Sequence, residues 1–461
     1  MTQTLRRNPG FYQNLWRLAL PIVLQNIITT SLGFADTFMV GMLGNAEMAA
    51  VTAANTPIFI VQLVIFGFQS GMAVLVSQFW GRGDTQAINR CLGVALYTVT
   101  AFSAAVALIC CVFPHRVLSL VTTNGELVAL GRNYLRIVGF SYIFNGMSTV
   151  YVGVQRNTEH PGFGTALFTM SMGVNTLLNY IFIFGKLGAP ALGVTGAAIA
   201  TLLSRVVEFI VAAAYALRCK RIPLHPALLL RPGRFITGRF IKYSTPVVVN
   251  EGLWSLGVSM LTVIMGHMEN SQDMLAAYAL SGNVDKVTTV VCFGLGGAAS
   301  VIVGKEIGMG RSKEQVQRTA GTLLRVSFLV GVVVTAVEMV LLPTFFKPVL
   351  FPLFDLTEGA AYAAGCMLTM YALCMPMRAV NITNIVGVLR SGGDIMAAFL
   401  IDVVPVWVIS VPLMAVSGLV LDAPLWLACI CVQAESVCKG PIGYLRYRSG
   451  KWINDITRQE V

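Results

Sequence analysis

Runs of twenty or more predominantly apolar residues recur along the chain, separated by short breaks rich in Gly, Pro, Arg and Lys. About 20 apolar residues is the length an α-helix needs to cross the hydrocarbon core of a bilayer. The pattern predicts twelve such helices, at 14–39, 50–77, 91–113, 129–152, 163–185, 191–218, 240–266, 275–304, 319–346, 360–388, 395–417 and 424–447. Strands of a membrane barrel would be half as long and would alternate in polarity, so helices are the reading. The expected fold class is all-α, a polytopic membrane protein.

The first run, Leu18 to Gly44, carries one carboxylate, Asp36. A charge at the centre of a bilayer costs about 3 kcal/mol on insertion scales, so it persists where it faces a polar cavity or a partner. At about 100° per residue, Gln25, Thr29 and Asp36 share a face, with Gly33 beside them. Pro21 removes a backbone donor and is expected to act as a hinge in this helix. An acid that merely fixes packing against a neighbouring helix is the competing reading.

Loops on the N-terminal side of the membrane, with both termini, hold about 22 basic residues, Arg6 and Arg7 among them. The opposite side holds five: Arg116, Arg132, Arg136, Lys186 and Lys347. The positive-inside rule then places both termini in the cytoplasm. The first apolar run has no small-residue cleavage site after it and is expected to be kept as a helix. The longest cytoplasmic break, 219–239, is rich in prolines and basic residues and reads as a linker between an N-lobe, 1–218, and a C-lobe, 240–461. Its LHPALLL segment is expected to lie along the membrane surface.

The halves repeat. LALPIVLQN at 18–26 aligns with YSTPVVVNE at 243–251, which sets Pro21 over Pro246, a second expected hinge. VSQFWGRGDTQAINR at 76–90 aligns with VGKEIGMGRSKEQVQ at 303–317, and GVQRN at 153–157 with GVLRS at 387–391. Six crossings return the chain to its starting side. The repeats are therefore parallel, and they imply two six-helix bundles about a pseudo-twofold axis along the membrane normal, with a central cleft.

Composition agrees: 56% of residues are hydrophobic and 11% charged, with a mean hydropathy of +0.74, far from a soluble domain. The net charge of +11 follows topology and not a nucleic-acid surface, because the basic residues are not interleaved with stacking aromatics. The ten Cys residues are scattered through apolar runs and the four His residues lie in different loops, so neither a disulfide framework nor a structural metal site is expected. The absence of GxxxxGK[ST], HExxH and GxSxG motifs argues against a primary pump and against an enzyme.

GFADTFMVGMLG in the first helix, SQFWGRGD after the second, NTLLNYIFIFG in the fifth, GVTGAAIAT opening the sixth and VLRSGGD after the tenth occur in order. Together they resemble the multidrug and toxic compound extrusion (MATE) family of cation-coupled efflux transporters, over nearly the whole chain. The resemblance implies an N-lobe cation site of Asp36, Asn175, Asn179 and Thr201. Asn175 and Asn179, four apart, share one helix face and offer carbonyl oxygens beside a carboxylate, which suits a proton relay or Na⁺ at Asp36. Interhelical hydrogen bonding is the alternative use of that pair.

In the C-lobe, Glu251 matches a family acid, with Ser255 and Thr262 on its face. Some family members place a second acid in the tenth helix, where this chain has Arg378. Asp285, with Ser281 and Thr289 on its face, is the candidate to supply the missing charge, and Lys286 is expected to pair with another helix through Glu251. Asp402, Glu338 and the Arg205–Glu208 pair are read as structural or interfacial. Met39, Phe144, Met147, Met172 and Met260 either line an adaptable cavity or simply pack.

The resemblance implies a secondary antiporter that exports amphipathic, often cationic, organic compounds in exchange for H⁺ or Na⁺ by alternating access. It would sit in the cell (inner) membrane, use no other cofactor, and have small molecules and the lipid bilayer as partners. A two-lobed chain encloses its own cleft, so a monomer is expected. The alternative is a lipid-linked precursor flippase of the same superfamily, which needs a cationic cavity such as Arg378 and Lys286 would offer.

Overall fold

The computed structural model describes residues 9–354, 356–421 and 424–458; Arg6 and Arg7 lie outside the described residues. Every element among these is helical. In order they are α1 (Pro9–Gly41), α2 (Asn45–Ala54), α3 (Thr56–Arg82), α4 (Thr85–Val112), α5 (Pro114–Ser119), α6 (Gly125–Asn157), α7 (Pro161–Phe184), α8 (Gly193–Arg218), α9 (Pro226–Leu230), α10 (Arg234–Gly266), α11 (Ser271–Gly308) and α12 (Lys313–Leu341). The chain continues through α13 (Phe351–Leu353), α14 (Glu358–Ile382), α15 (Ile395–Pro405), α16 (Val411–Ala415) and α17 (Leu425–Arg448). The protein is an all-α polytopic membrane protein.

Caps explain several boundaries. Asp84 accepts from the Ala87 amide at 2.9 Å to start α4, and Ser312 forms a capping box with Gln315 to start α12. The expected second helix is broken at Asn55, where Pro57 opens α3. Wider π-helical segments, Leu342–Leu350, Thr383–Leu389, Val406–Ser410 and Val416–Val420, prolong α12, α14, α15 and α16. Each contains a proline or follows one, at 343, 348, 376, 405 and 412, where the missing amide interrupts the regular ladder.

Among the described residues eleven helices, counting such continuous stretches as one, are long and apolar enough to span a membrane. The twelfth expected span corresponds to α17, 24 residues long and more polar than the others, with Glu435, Lys439, Arg446 and Arg448 along it.

The chain divides into two compact units, Leu24–Val248 and Val249–Val461, the latter joined by the chain up to Val23. Both divisions fall inside helices, two residues beyond Pro21 in α1 and two beyond Pro246 in α10, and not in the linker 219–239 expected from composition. The first half of α1 thus packs with the C-terminal unit: Leu15, Leu18, Ala19 and Ile22 join Leu295, Ala298 and Ile302 of α11 in one buried cluster. That cluster also holds Trp452, which is fully buried and donates its indole N–H to the Tyr447 carbonyl at 2.9 Å. A second cluster of the same unit centres on Met265, Met367, Met414 and Cys429.

In the N-terminal unit the first half of α10 lies against α3. Gly67 and Gly71, one turn apart, face Val248 and Ser244, and a methyl added at Gly67 would lie 2.8 Å from the Val248 Cα. Small residues let the two backbones approach, as in other membrane helix pairs. Gly71→Val is therefore expected to cost about 1–3 kcal/mol by overpacking. Gly173→Ala, where nothing lies within 4 Å, serves as the control, with thermal unfolding in detergent as the measurement.

The linker is docked on the N-terminal unit rather than loose. Asn89 of α4 donates to the Pro223 carbonyl at 3.0 Å and accepts from the His225 amide at 3.2 Å. Only Pro226–Leu230 of the predicted surface segment is helical, with Leu230 exposed.

Candidate functional site

Asp36 lies near the end of α1 in the N-terminal unit, opposite a polar face of α7. Asn179 donates from Nδ2 to Asp36 Oδ1 at 2.6 Å and to Asn175 Oδ1 at 3.1 Å. Asn175 in turn donates to Ser204 Oγ of α8 at 3.5 Å. Both Asn side chains are 1% exposed. Because Nδ2 of Asn179 faces two acceptors, its amide cannot be turned over without setting oxygen against oxygen. Its Oδ1 is left buried without a hydrogen-bond donor.

Asp36, Asn175 and Asn179 are thus brought together. Thr201 is not joined to them: no hydrogen bond among the described residues links its hydroxyl to the three, and its carbonyl accepts from Ser204 at 2.9 Å. Ser204 takes that place, and its only sequence signal is that it follows Thr201 by three positions and so shares its face. The polar seam extends further along the same two helices. Ser171, one turn before Asn175, donates to Glu208 Oε2 at 2.6 Å, and Arg205 donates to the same oxygen at 2.6 Å.

Lower on α1 the expected polar face is less coherent. Gln25 is buried against Gly164. The Thr29 and Thr30 hydroxyls both bond the Asn26 carbonyl at 2.9 Å, the ordinary use of a hydroxyl in an apolar helix.

In the C-terminal unit the expected partnership of Glu251 with Lys286 is corrected. Glu251 accepts from Arg390 at 2.9 Å, and Arg390 also lies 3.6 Å from Asp402. Lys439 of α17 bridges Asp402 and Glu435, both at 2.9 Å, and Asn250 donates to Asp402 at 2.9 Å. Three acids and two cations from α10, α15, α17 and the turn after α14 form one largely buried network. Lys286 stands apart from it, exposed on α11.

Asp285 pairs with Arg378 through both oxygens, one contact at 2.8 Å, while Thr289 accepts a further bond from Arg378 at 3.4 Å. The guanidinium sits 5.6 Å from the ring centre of Tyr371, a cation–π position. The charge of Arg378 is therefore balanced inside its own unit. Among the described residues no three His, Cys, Asp or Glu side chains gather as a metal cluster.

The MatE family model matches residues 21–181 and 246–416, the two halves of the repeat. The probable multidrug resistance protein NorM of Thermotoga maritima is 24% identical, over 98% of this chain and 96% of its own length. The probable multidrug resistance protein YoeA of Bacillus subtilis is 23% identical, over 88% of this chain and 87% of its own. A multidrug resistance MATE transporter solved in an outward-facing conformation superposes with a TM-score of 0.84, at 19% identity, covering 97% of both chains. A MOP superfamily transporter of Pyrococcus furiosus, described as having a binding pocket of reversed polarity, gives 0.83 at 19% identity, over 97% of this chain and 98% of that one. Matched by the family model over most of its length, the chain belongs to the MatE family, the multidrug and toxic compound extrusion (MATE) transporters.

Proposed function

We propose that this protein is a secondary multidrug antiporter that exports amphipathic, often cationic, organic compounds in exchange for a cation bound at Asp36. The observation that carries the reading is the membrane-embedded Asp36, held by Asn179, whose own carbonyl oxygen lacks a donor. A carboxylate beside an unsatisfied acceptor is poised to take up a positive species: a protonated Asp36 gains a donor, and a bound cation gains a ligand. The names of the NorM and YoeA relatives support the substrate class.

Binding at Asp36 acts by differential affinity for inward- and outward-facing states, since a ligand that binds both equally shifts nothing. The passage of α1 and α10 between units just beyond Pro21 and Pro246 supports these prolines as the hinges. The protein is placed in the cell membrane with both termini cytoplasmic, acts as a monomer, and needs no cofactor beyond the coupling ion.

A flippase for lipid-linked anions would need free cations in the spans. Of the cations read for that role, Arg378 is balanced by Asp285, and the buried Arg390 and Lys439 are balanced by three acids, which counts against that reading.

Reconstitution in proteoliposomes, with pH and Na⁺ gradients imposed separately, tests the antiporter. Uptake of a fluorescent organic cation into inverted vesicles is expected to accelerate at least about tenfold under one gradient. Equal rates with and without both gradients would overturn the reading.

A further inference from the structure

On the C-terminal unit, at the end of α17 away from the C-terminus, a groove of about 250 Å³ opens between the π-helical segment Leu342–Leu350, the start of α14 and the start of α17. Lys347, Tyr362, Gly365, Cys366, Met370 and Trp426 line it. Tyr362, Cys366 and Met370 follow one another at single turns, so the groove runs along one face of α14 for about 12 Å. Gly365 decides how Lys347 lies. A methyl added there would sit 3.6 Å from the Lys347 Cε, so the lysine stem crosses α14 where that helix has no side chain. A stem of this kind lies along apolar surface while its ammonium reaches the polar boundary.

Lys347 is the one charged side chain among the described residues that line the groove, and it has no ion-pair partner among the described residues. Thr369, also at the wall, turns its hydroxyl to the Gly365 carbonyl at 2.7 Å. Glu358, one turn before Tyr362, is exposed without lining the groove, and Asp273 accepts from the Thr357 hydroxyl at 2.5 Å. Trp426 and Tyr362 are 46% and 57% exposed. Such aromatics gather where membrane helices meet the headgroups, but an anchoring belt requires no cavity beside it. Here a cation and two aromatic rings stand at the mouth, and Cys366 and Met370 lie further along α14. That is the order of polar and apolar parts in a lipid.

We propose that this groove binds one acidic phospholipid, whose phosphate pairs with the Lys347 ammonium while an acyl chain lies over Gly365 between Met370 and Trp426. The occupant follows from charge and shape together. A lysine at the membrane surface favours an acidic lipid over a neutral one by about fivefold, and the groove beside it holds the chain of the same molecule. A soluble anion would use the lysine and leave the groove unfilled. The site stands whether or not Asp36 is the coupling site, since it lies on a different unit and involves no transported ion.

The test is tryptophan quenching in the purified full-length protein, reconstituted in phosphatidylcholine vesicles that carry acyl-brominated phosphatidylglycerol or acyl-brominated phosphatidylcholine as quencher. Quenching of Trp426, read as the difference from Trp426→Phe, is expected to need about fivefold less of the acidic quencher than of the neutral one. Lys347→Arg is expected to keep this preference, and Lys347→Gln to remove it while the neutral lipid still quenches. Gly365→Val fills the groove and leaves the charge, so it is expected to lower quenching by both lipids, an effect that a bare surface charge would not show. Should that variant fail to fold, Cys366→Leu, on the partly exposed wall, gives the same reading. Equal quenching by the two lipids in the intact chain, a preference that survives Lys347→Gln, or quenching unmoved when the groove is filled would each overturn the proposal. Loss of the preference to millimolar inorganic phosphate at constant ionic strength would assign Lys347 to a free anion and overturn it as well.

Discussion

Asp36→Asn is expected to lower gradient-driven export on the order of 100-fold or more while leaving the protein folded. The substitution is isosteric, and its carbonyl oxygen can still accept the Asn179 bond seen at 2.6 Å. What disappears is the group that changes charge. Moving a two-state equilibrium from 1:99 to 99:1 takes about 10⁴-fold differential affinity, so a site that no longer binds its ion cannot supply the bias. Removing a membrane-embedded charge also lowers an insertion cost of about 3 kcal/mol, so thermal stability is expected to hold or rise. Transport in proteoliposomes, read beside the unfolding temperature of the same sample, separates loss of coupling from loss of fold. An Asn variant that still concentrates substrate against a gradient would remove Asp36 from the mechanism.

The spans were legible because their signal is long and local. A run such as 91–113 carries no charged residue, and α4 covers it up to Val112. Asp36, Asn175 and Asn179 were legible for a related reason: costly polar groups stand out in apolar helices, and the family resemblance supplied their company. Partnerships across helices were not legible. Arg390 entered the sequence reading only within the repeated GVLRS segment at 387–391, yet it is 3% exposed at its side chain and binds Glu251, 139 residues away in sequence. Asp402 and Lys439 likewise carried no local sign of each other. Thr201 came from the resemblance, and nothing local in the sequence marks Ser204, three positions on, as the hydroxyl that reaches Asn175. The division of the chain falls inside α1 and α10, two residues beyond the expected hinges Pro21 and Pro246, while the basic, proline-rich linker that composition singles out lies within one unit.

The buried network of the C-terminal unit gives the second large effect. Arg390→Met is expected to destabilise the protein by about 3–5 kcal/mol, because it strands Glu251 and Asp402 close together with only Lys439 to balance them. Glu251→Gln alone is expected to cost less, since Arg390 keeps Asp402 within 3.6 Å and Asn250 remains beside both acids. Combining Arg390→Met with Glu251→Gln is expected to recover at least about half of the loss, a coupling that a double-mutant cycle reads directly. Denaturation of the purified protein, followed in all four combinations, provides the measurement. Additive losses would mean that water and not Arg390 neutralises Glu251. Recovery in the double variant would mean that Glu251 belongs to the scaffold of its unit. Its charge is then already spent on Arg390, and the burden of ion coupling falls on Asp36.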